Sequence, residues 1–79
     1  VAALLSWTTS KFAEVGIDTP RLDAERLLAH ALACKRLDLY LRHGELVAAA
    51  PRQKFRDFVR RRLSREPVAL IEGSRAFHG

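Results

Sequence analysis

The stretch GIDTPRLDAERLLAHAL, residues 16–32, decides how this chain folds. Thr19 is a good N-cap residue, and Pro20 suits the first position of a helix, where its missing N–H breaks no hydrogen bond. Asp23 and Glu25 then place negative charge near the positive end of the helix dipole. The apolar residues recur at helical spacing and are Leu27, Leu28, Ala31 and Leu32. The stretch therefore predicts a capped helix with one buried face.

The segment before this stretch, residues 2–15, predicts a first helix. Its apolar face repeats at helical spacing, with Trp7 at the edge. That face consists of Leu4, Leu5, Thr8, Phe12 and Val15. Gly16 suits the turn after a helix because it adopts left-handed backbone angles without strain. Ile17 then supplies the hydrophobic contact of a Schellman ending, so we expect the first helix to stop just before Gly16.

Beyond the central helix, which we expect to end near Cys34, the chain predicts a short helix and a connection. The short helix spans residues 35–42, and its apolar spacing predicts three side chains that face inward, Leu37, Tyr40 and Leu41. The segment ELVAAAP follows as a connection, and we expect Leu46 and Val47 to reach the core.

A basic helix is then predicted to begin at Pro51 and to end near Arg65, because Pro67 disfavours helical geometry in the residue before it. Its apolar stripe consists of Phe55, Phe58, Val59 and Leu63. Arg62 falls inside this stripe, and we expect its stem to line the rim of the core while its charged end reaches water. One more helical turn is predicted over residues 68–71, before Gly73.

These elements predict an all-α fold, a compact bundle of about four to five short helices. A chain of 79 residues forms one small domain with a thin margin of stability. Its apolar runs are only a few residues long, far below the ~20 residues that cross a bilayer, and no signal peptide is visible. The single cysteine, Cys34, excludes an intrachain disulfide. We therefore expect a cytoplasmic protein that does not enter a membrane.

The net charge of +5 is concentrated in one segment. Residues 51–65 carry seven basic side chains against the single acid Asp57, a net charge of +6. A field of this kind attracts acidic partners. The candidate binding residues on this helix are Arg52, Arg56, Arg60 and Arg61, which we expect to be exposed. The same charge also fits phosphate contacts, or a solvated helix face that binds nothing.

No group of residues has the arrangement of a catalytic or metal site. His30 and Cys34 share a helix face, but a structural zinc ion needs four ligands and no sequence neighbours supply the others. Serine, histidine and aspartate occur in no arrangement that predicts mutual activation, and the glycines are isolated. We therefore expect His30 to lie at a polar edge near Arg26 and Cys34 to be a packing residue.

Two stretches resemble the N-terminal domain of the release-factor glutamine methyltransferases, the HemK/PrmC family. The first is similar to that family's (S/T)PRxDAExLLxH run, through Pro20, Arg21, Asp23, Ala24, Glu25, Leu27, Leu28 and His30. The second is similar to its R(x)xEPxxxIxGxxxFxG passage, through Arg65, Glu66, Pro67, Ile71, Gly73, Arg75, Phe77 and Gly79. Ala76 and His78 depart from that passage, where the family often has a glutamate and an aromatic residue. With the basic helix between them, the two stretches extend the resemblance over nearly the whole chain.

The resemblance implies a helical substrate-recognition domain, residues 1–73, and the start of a linker, residues 74–79, to a Rossmann-like catalytic domain that is absent here. Family members bind S-adenosylmethionine in that domain and methylate the glutamine amide nitrogen in the Gly-Gly-Gln motif of peptide-chain release factors. This chain has neither a glycine-rich cofactor loop nor the family's Asn-Pro-Pro-Tyr motif. We therefore expect a fragment that binds no cofactor and is inactive alone. Its expected partners are the release factor and the catalytic domain of the same enzyme, which we expect to be a monomer.

Two other functions stay open at this point. A free-standing basic module that binds RNA or DNA would lose affinity steeply with salt. The predicted burial of Phe55 and Phe58 counts against it, because no aromatic ring is then left to stack on bases. A domain that only shields or stabilises the catalytic domain would tolerate replacement by an unrelated helical domain of similar size.

Overall fold

The computed structural model describes residues 1–42 and 44–73, and within them it contains five helices and no strand. The helices are α1 (Ala2–Glu14), α2 (Pro20–Leu32), α3 (Arg36–Leu41), α4 (Ala49–Leu63) and α5 (Val68–Gly73). The predicted all-α bundle is confirmed. None of these helices has the length and apolar character needed to cross a bilayer. The predicted linker, residues 74–79, lies outside the described residues, as does His43.

Helix α2 is the centre of the fold, because it packs against each of the other four helices. Helix α4 also packs against α5. The largest fully buried apolar side chains come from all five helices and are Phe12, Leu27, Leu28, Leu39, Phe55 and Ile71. Burying one such side chain contributes roughly 1.5–3 kcal/mol. Helices this short are marginal in isolation, so this shared core is what holds them in place.

The predicted ending of α1 is confirmed. Gly16 has a φ of +84°, and its N–H donates to the Ala13 carbonyl at 3.1 Å. The N–H of Ile17 donates to the Phe12 carbonyl at 3.1 Å, and the Ile17 side chain is buried. These two bonds satisfy carbonyls that the end of a helix otherwise leaves unpaired. The turn therefore connects the end of α1 to the start of α2 within a few residues.

The predicted start of α2 is confirmed in position but not in its hydrogen bond. Thr19 is the N-cap residue and Pro20 the first helical residue. The Thr19 hydroxyl makes no cap bond to the backbone; it donates to Oδ1 of Asp23 at 3.0 Å instead. The helix ends slightly earlier than predicted, with Ala33 in the left-handed region at a φ of 56°.

Helix α4 begins at Ala49, two residues before the predicted start. Pro51 still lies in the first turn, where its missing N–H costs no helical hydrogen bond. The helix ends at Leu63, close to the predicted end, and Arg65 turns the chain with a φ of 75°. Phe55, Phe58 and Val59 are buried as predicted. The predicted turn after Pro67 is also confirmed, as α5.

The prediction for α3 is wrong in the face that it buries. Leu37, Tyr40 and Leu41 are 69%, 54% and 78% exposed, whereas Leu39 is only 1% exposed. Four of the six residues of α3 are apolar or aromatic, so the spacing alone does not select one face. Contact with α2 selects Leu39 as the buried side chain.

The prediction that the connection before α4 reaches the core is half wrong. Leu46 is 97% exposed, while Val47 is partly buried and packs against the core. Adjacent residues of an extended segment point to opposite sides, so only one of the pair can face inward. The connection is held instead through its backbone, because the Val1 ammonium group donates to the Glu45 carbonyl at 2.7 Å.

Candidate protein-binding site

Three of the four candidate arginines form one exposed stripe along α4. Arg52, Arg56 and Arg60 are spaced by four residues, so they lie one above another on the same side of the helix. All three side chains are exposed, and none has an ion-pair partner among residues 1–42 and 44–73. Like charges spaced in this way repel one another. The stripe is therefore a place where added negative charge is favourable.

The fourth candidate, Arg61, lies on a different flank of α4 and is only partly exposed. Its guanidinium binds both carboxylate oxygens of Glu66, with Nη2 2.8 Å from Oε1 and Nε 3.2 Å from Oε2. This hydrogen-bonded pair raises the pKa of Arg61 and lowers the pKa of Glu66. The structure therefore does not bring Arg61 together with the stripe, and it corrects the expectation that Arg61 is exposed like the other three.

An apolar groove lies beside the stripe, between α1 and α4. It has a volume of about 220 Å³. Its lining residues are Leu4, Trp7, Phe55, Val59 and Leu63, with Arg56 and Arg60 at the rim. The groove exists because α1 and α4 both pack against α2 and make little contact with each other. No acidic side chain is among these lining residues, all of which the structure describes.

Trp7 is the functional candidate that sequence reasoning missed. Its side chain is 55% exposed, although it contributes to one wall of the groove. The Lys11 ammonium lies 5.8 Å from the ring centroid, a favourable cation–π position. Phe55 and Phe58 are buried as predicted, but the inference that no aromatic ring is then left to stack on bases is wrong, because Trp7 is exposed. The available signal was the position of Trp7 at the edge of the apolar face of α1, where a ring is only half covered.

The charged end of Arg62 is bound by protein groups and largely shielded from water, contrary to the prediction that it reaches water. Its Nε donates to Oδ2 of Asp23 at 3.0 Å, and its Nη1 donates to the Glu66 carbonyl at 3.1 Å. The side chains of Arg62 and Asp23 are only 18% and 9% exposed. Asp23 also accepts the Thr19 hydroxyl, so both of its oxygens have donors. This nearly buried pair joins α4 to the start of α2, and it leaves Arg62 unavailable for a partner.

Glu25 is the centre of a second polar cluster, which joins α2 to α3. Its carboxylate is buried and accepts bonds from the Tyr40 hydroxyl at 2.6 Å and from Arg21 Nε at 2.8 Å. Arg36 Nε lies 3.4 Å from the other oxygen. Burial alone raises the pKa of Glu25, but the bonds from Tyr40 and Arg21 and the charges of Arg21 and Arg36 outweigh it and hold that pKa below its ordinary value. The cluster is structural, because Tyr40 and Arg36 bind Glu25 from α3 while Arg21 pairs with it within α2.

His30 and Cys34 occupy packing positions. The His30 ring lies 5.4 Å from the Phe58 ring, centroid to centroid, in a tilted arrangement. Cys34 is partly buried against the core, and burial raises the pKa of its thiol. Cys34 therefore behaves as the small packing residue that its position predicted. His30 faces the aromatic side of α4, which differs from the polar edge that we expected.

The family of this chain follows from comparison with known proteins. The family model described as the PrmC N-terminal domain matches residues 3–73. The chain therefore belongs to the PrmC N-terminal domain family, as the resemblance of its two motifs predicted. Several of the motif residues have structural partners here. Asp23 pairs with Arg62, and Glu25 collects bonds from α2 and α3.

Individual relatives agree over almost the whole chain. The chain is 46% identical over 78 residues to a protein of Rhodopirellula baltica named release factor glutamine methyltransferase, covering 99% of this chain and 26% of that protein. It is 44% identical over 79 residues to the protein of the same name from Chlorobaculum tepidum, covering 100% of this chain and 27% of the relative. The chain thus spans about a quarter of the length of these relatives. No solved structure matches it significantly.

Proposed function

We propose that this chain is the substrate-recognition domain of an S-adenosylmethionine-dependent protein-(glutamine-N5) methyltransferase. The proposed substrate is the glutamine of the Gly-Gly-Gln motif of peptide-chain release factors. The observation that carries the proposal is the match of nearly the whole chain to the PrmC N-terminal domain model and to about a quarter of proteins named release factor glutamine methyltransferase. The cofactor and the reacting groups would belong to a catalytic domain outside this sequence. This chain would then carry no activity alone.

The chemistry explains why such an enzyme needs a separate recognition domain. An amide nitrogen is a weak nucleophile, so its methylation depends on holding the glutamine in register with the methyl donor. When the substrate is a whole folded protein, contacts far from the reacting atom can supply that positioning. A rigid helical domain suits this task, because its helices are fixed to one another by a common core and by buried ion pairs.

The exposed stripe of Arg52, Arg56 and Arg60 is the proposed contact surface for acidic patches of the release factor. Its three guanidinium groups have no partner among the described residues, so pairing them costs no existing ion pair. Arg61 is a weaker candidate, because its guanidinium already binds Glu66. Contacts at such an exposed rim mainly raise the association rate and depend on salt.

Deletion of residues 1–73 from the complete enzyme tests the proposal. Two substrates are compared, the intact release factor and a short peptide that contains Gly-Gly-Gln. We expect KM for the release factor to rise at least about tenfold, equivalent to about 1.4 kcal/mol of lost binding, and kcat/KM for the peptide to change little. Equal losses on both substrates would indicate a stabilising role instead. An unchanged KM for the release factor would exclude substrate recognition.

A further inference from the structure

The groove between α1 and α4 has features of a docking site that the arginine stripe alone does not explain. Its walls are apolar, and the exposed Trp7 ring stands at its edge. Tryptophan, tyrosine and arginine residues that become fully buried when a partner binds contribute a large share of the energy of many protein interfaces. An arginine stripe that served only for electrostatic attraction would need no such pocket beside it. The pocket and the charges therefore point to one ligand that has both an apolar and an acidic part.

The size of the groove limits what enters it. A closed apolar cavity of about 150 Å³ holds a benzene ring. The groove, at about 220 Å³, therefore accommodates one large apolar side chain, such as leucine or phenylalanine. Arg56 and Arg60 are one helical turn apart on the rim, so their guanidinium groups can pair with two neighbouring carboxylates of the same segment. An amphipathic segment that carries both features satisfies the whole site.

Charge complementarity selects among the possible occupants. A second copy of this chain carries the same basic stripe and a net charge of +5, so pairing stripe against stripe is unfavourable. A nucleic acid would satisfy the arginines and would be able to stack one base on Trp7, but its phosphates and sugars gain nothing from the aliphatic walls of Leu4, Val59 and Leu63. A protein segment with an apolar side chain between acidic ones uses both halves of the site.

We propose that the groove binds an acidic amphipathic segment of the protein substrate, with an apolar side chain inserted beside Trp7 and carboxylates paired with Arg56 and Arg60. This inference rests on the proposed function and goes beyond it, because it names a pocket and the chemical character of the segment that fills it. The apolar contact supplies affinity that salt does not screen, while the arginines supply orientation and a fast encounter.

The test measures the dissociation constant between the complete enzyme and the purified release factor. Trp7→Ala removes the apolar contact, and Arg60→Glu reverses one rim charge. The control for Trp7→Ala is Leu41→Ala, which truncates an apolar residue that is 78% exposed on another face. The control for Arg60→Glu is Lys54→Glu, which makes the same charge change on another flank of α4. We expect Trp7→Ala to weaken binding about tenfold at both low and high salt. We expect Arg60→Glu to weaken binding mainly at low salt, and each control to change it less than about twofold.

The outcomes separate this inference from the proposed function. If deletion of residues 1–73 weakens binding of the release factor while Trp7→Ala weakens it no more than Leu41→Ala does, the groove is the wrong site and the proposed function stands. If Arg60→Glu changes the dissociation constant no more than Lys54→Glu does, the proposed pairing of Arg60 with a carboxylate is wrong. Misfolding would not explain that result, because Arg60 is exposed and its replacement leaves the core intact. If the deletion has no effect, both proposals fail together. If a single-stranded oligonucleotide displaces the release factor from the groove, the site binds nucleic acid and the inference is overturned.

Discussion

Replacing Arg62 with leucine is expected to destabilise the domain strongly, although arginine at that position interrupts an apolar stripe. The substitution keeps an apolar side chain at the rim of the core, although leucine is shorter than arginine. It removes the donor that lies 3.0 Å from Oδ2 of Asp23 and the donor to the Glu66 carbonyl. The Asp23 carboxylate then stays buried, with the Thr19 hydroxyl as its only remaining side-chain donor among the described residues. A buried charge without its counter-charge is the source of the expected loss.

The magnitude follows from the burial of the pair. Removing one partner of a fully buried ion pair costs about 3–5 kcal/mol. The Arg62 side chain keeps 18% of its exposure, and Asp23 keeps the bond from Thr19. We therefore expect a loss of about 2–4 kcal/mol in the free energy of unfolding. Domains of this size are stable by only about 4–12 kcal/mol, and the corresponding fall in Tm is roughly 10–25 °C.

A double-mutant cycle followed by urea unfolding gives the direct measurement. The variants are Arg62→Leu, Asp23→Asn and the double replacement, and helical circular dichroism reports unfolding. We expect the double variant to be about 1–2 kcal/mol more stable than the sum of the two single losses predicts, because neither charge is then left unpaired. Lys54→Leu is the control, since Lys54 is exposed on the same helix, and we expect it to change stability by less than about 0.5 kcal/mol.

Two results would refute this reasoning. If Arg62→Leu lowers the free energy of unfolding no more than Lys54→Leu does, the Asp23 carboxylate does not need its partner and the ion pair does not stabilise the domain. If the two single losses simply add, Arg62 and Asp23 act independently, and the 3.0 Å contact has no energetic meaning.

Two further predictions concern Glu25 and the turn after α1. Because the pKa of Glu25 is lower in the folded than in the unfolded protein, its stabilisation is complete above the unfolded pKa of about 4.3 and is lost as pH falls through the folded pKa. Glu25→Gln should therefore cost about 1–3 kcal/mol in urea unfolding at neutral pH and progressively less below about pH 4, and a constant difference would contradict the assignment. Gly16→Ala should cost about 1 kcal/mol, since its φ of +84° strains any residue with a Cβ even though nothing lies within 4 Å of that atom. Gly73→Ala, whose added Cβ also meets nothing within 4 Å and whose φ is not positive, should be close to neutral, and equal effects of the two changes would show that backbone strain is not the cause.

Local chemistry made the helix ends predictable. The turn at Gly16 and the start of α2 at Pro20 lie where the sequence predicted them. Glycine adopts positive φ without strain and proline fixes φ at a helical value, and neither property depends on the rest of the fold. The buried stripe of α4 was predictable for a similar reason. Phe55, Phe58 and Val59 repeat at helical spacing among strongly charged neighbours, so only one face is available for the core.

The short and ambiguous segments were not predictable in the same way. In α3 the apolar residues surround the helix, and contact with α2 decides that Leu39 and not Leu41 is buried. For Leu46 and Val47 the alternation of an extended chain allows either residue to face inward, and the path of the connection decides between them.

Sequence by itself determined the all-α class, the main helix ends, the basic helix and the family, since each depends on residues close together in the chain or on motifs read directly. Only the folded structure decided which arginines of α4 are available to a partner and which are already paired within the domain. Arg62 and Arg61 are both arginines of the same basic helix as Arg56, yet Asp23 and Glu66 occupy them, and Arg56 is left at the rim of a groove. The physical reason is that the Arg62–Asp23 pair and the groove depend on distances between residues far apart in sequence, whereas the Arg61–Glu66 pair depends on the turn that follows α4. Those distances exist only after α1 and α4 have packed on α2.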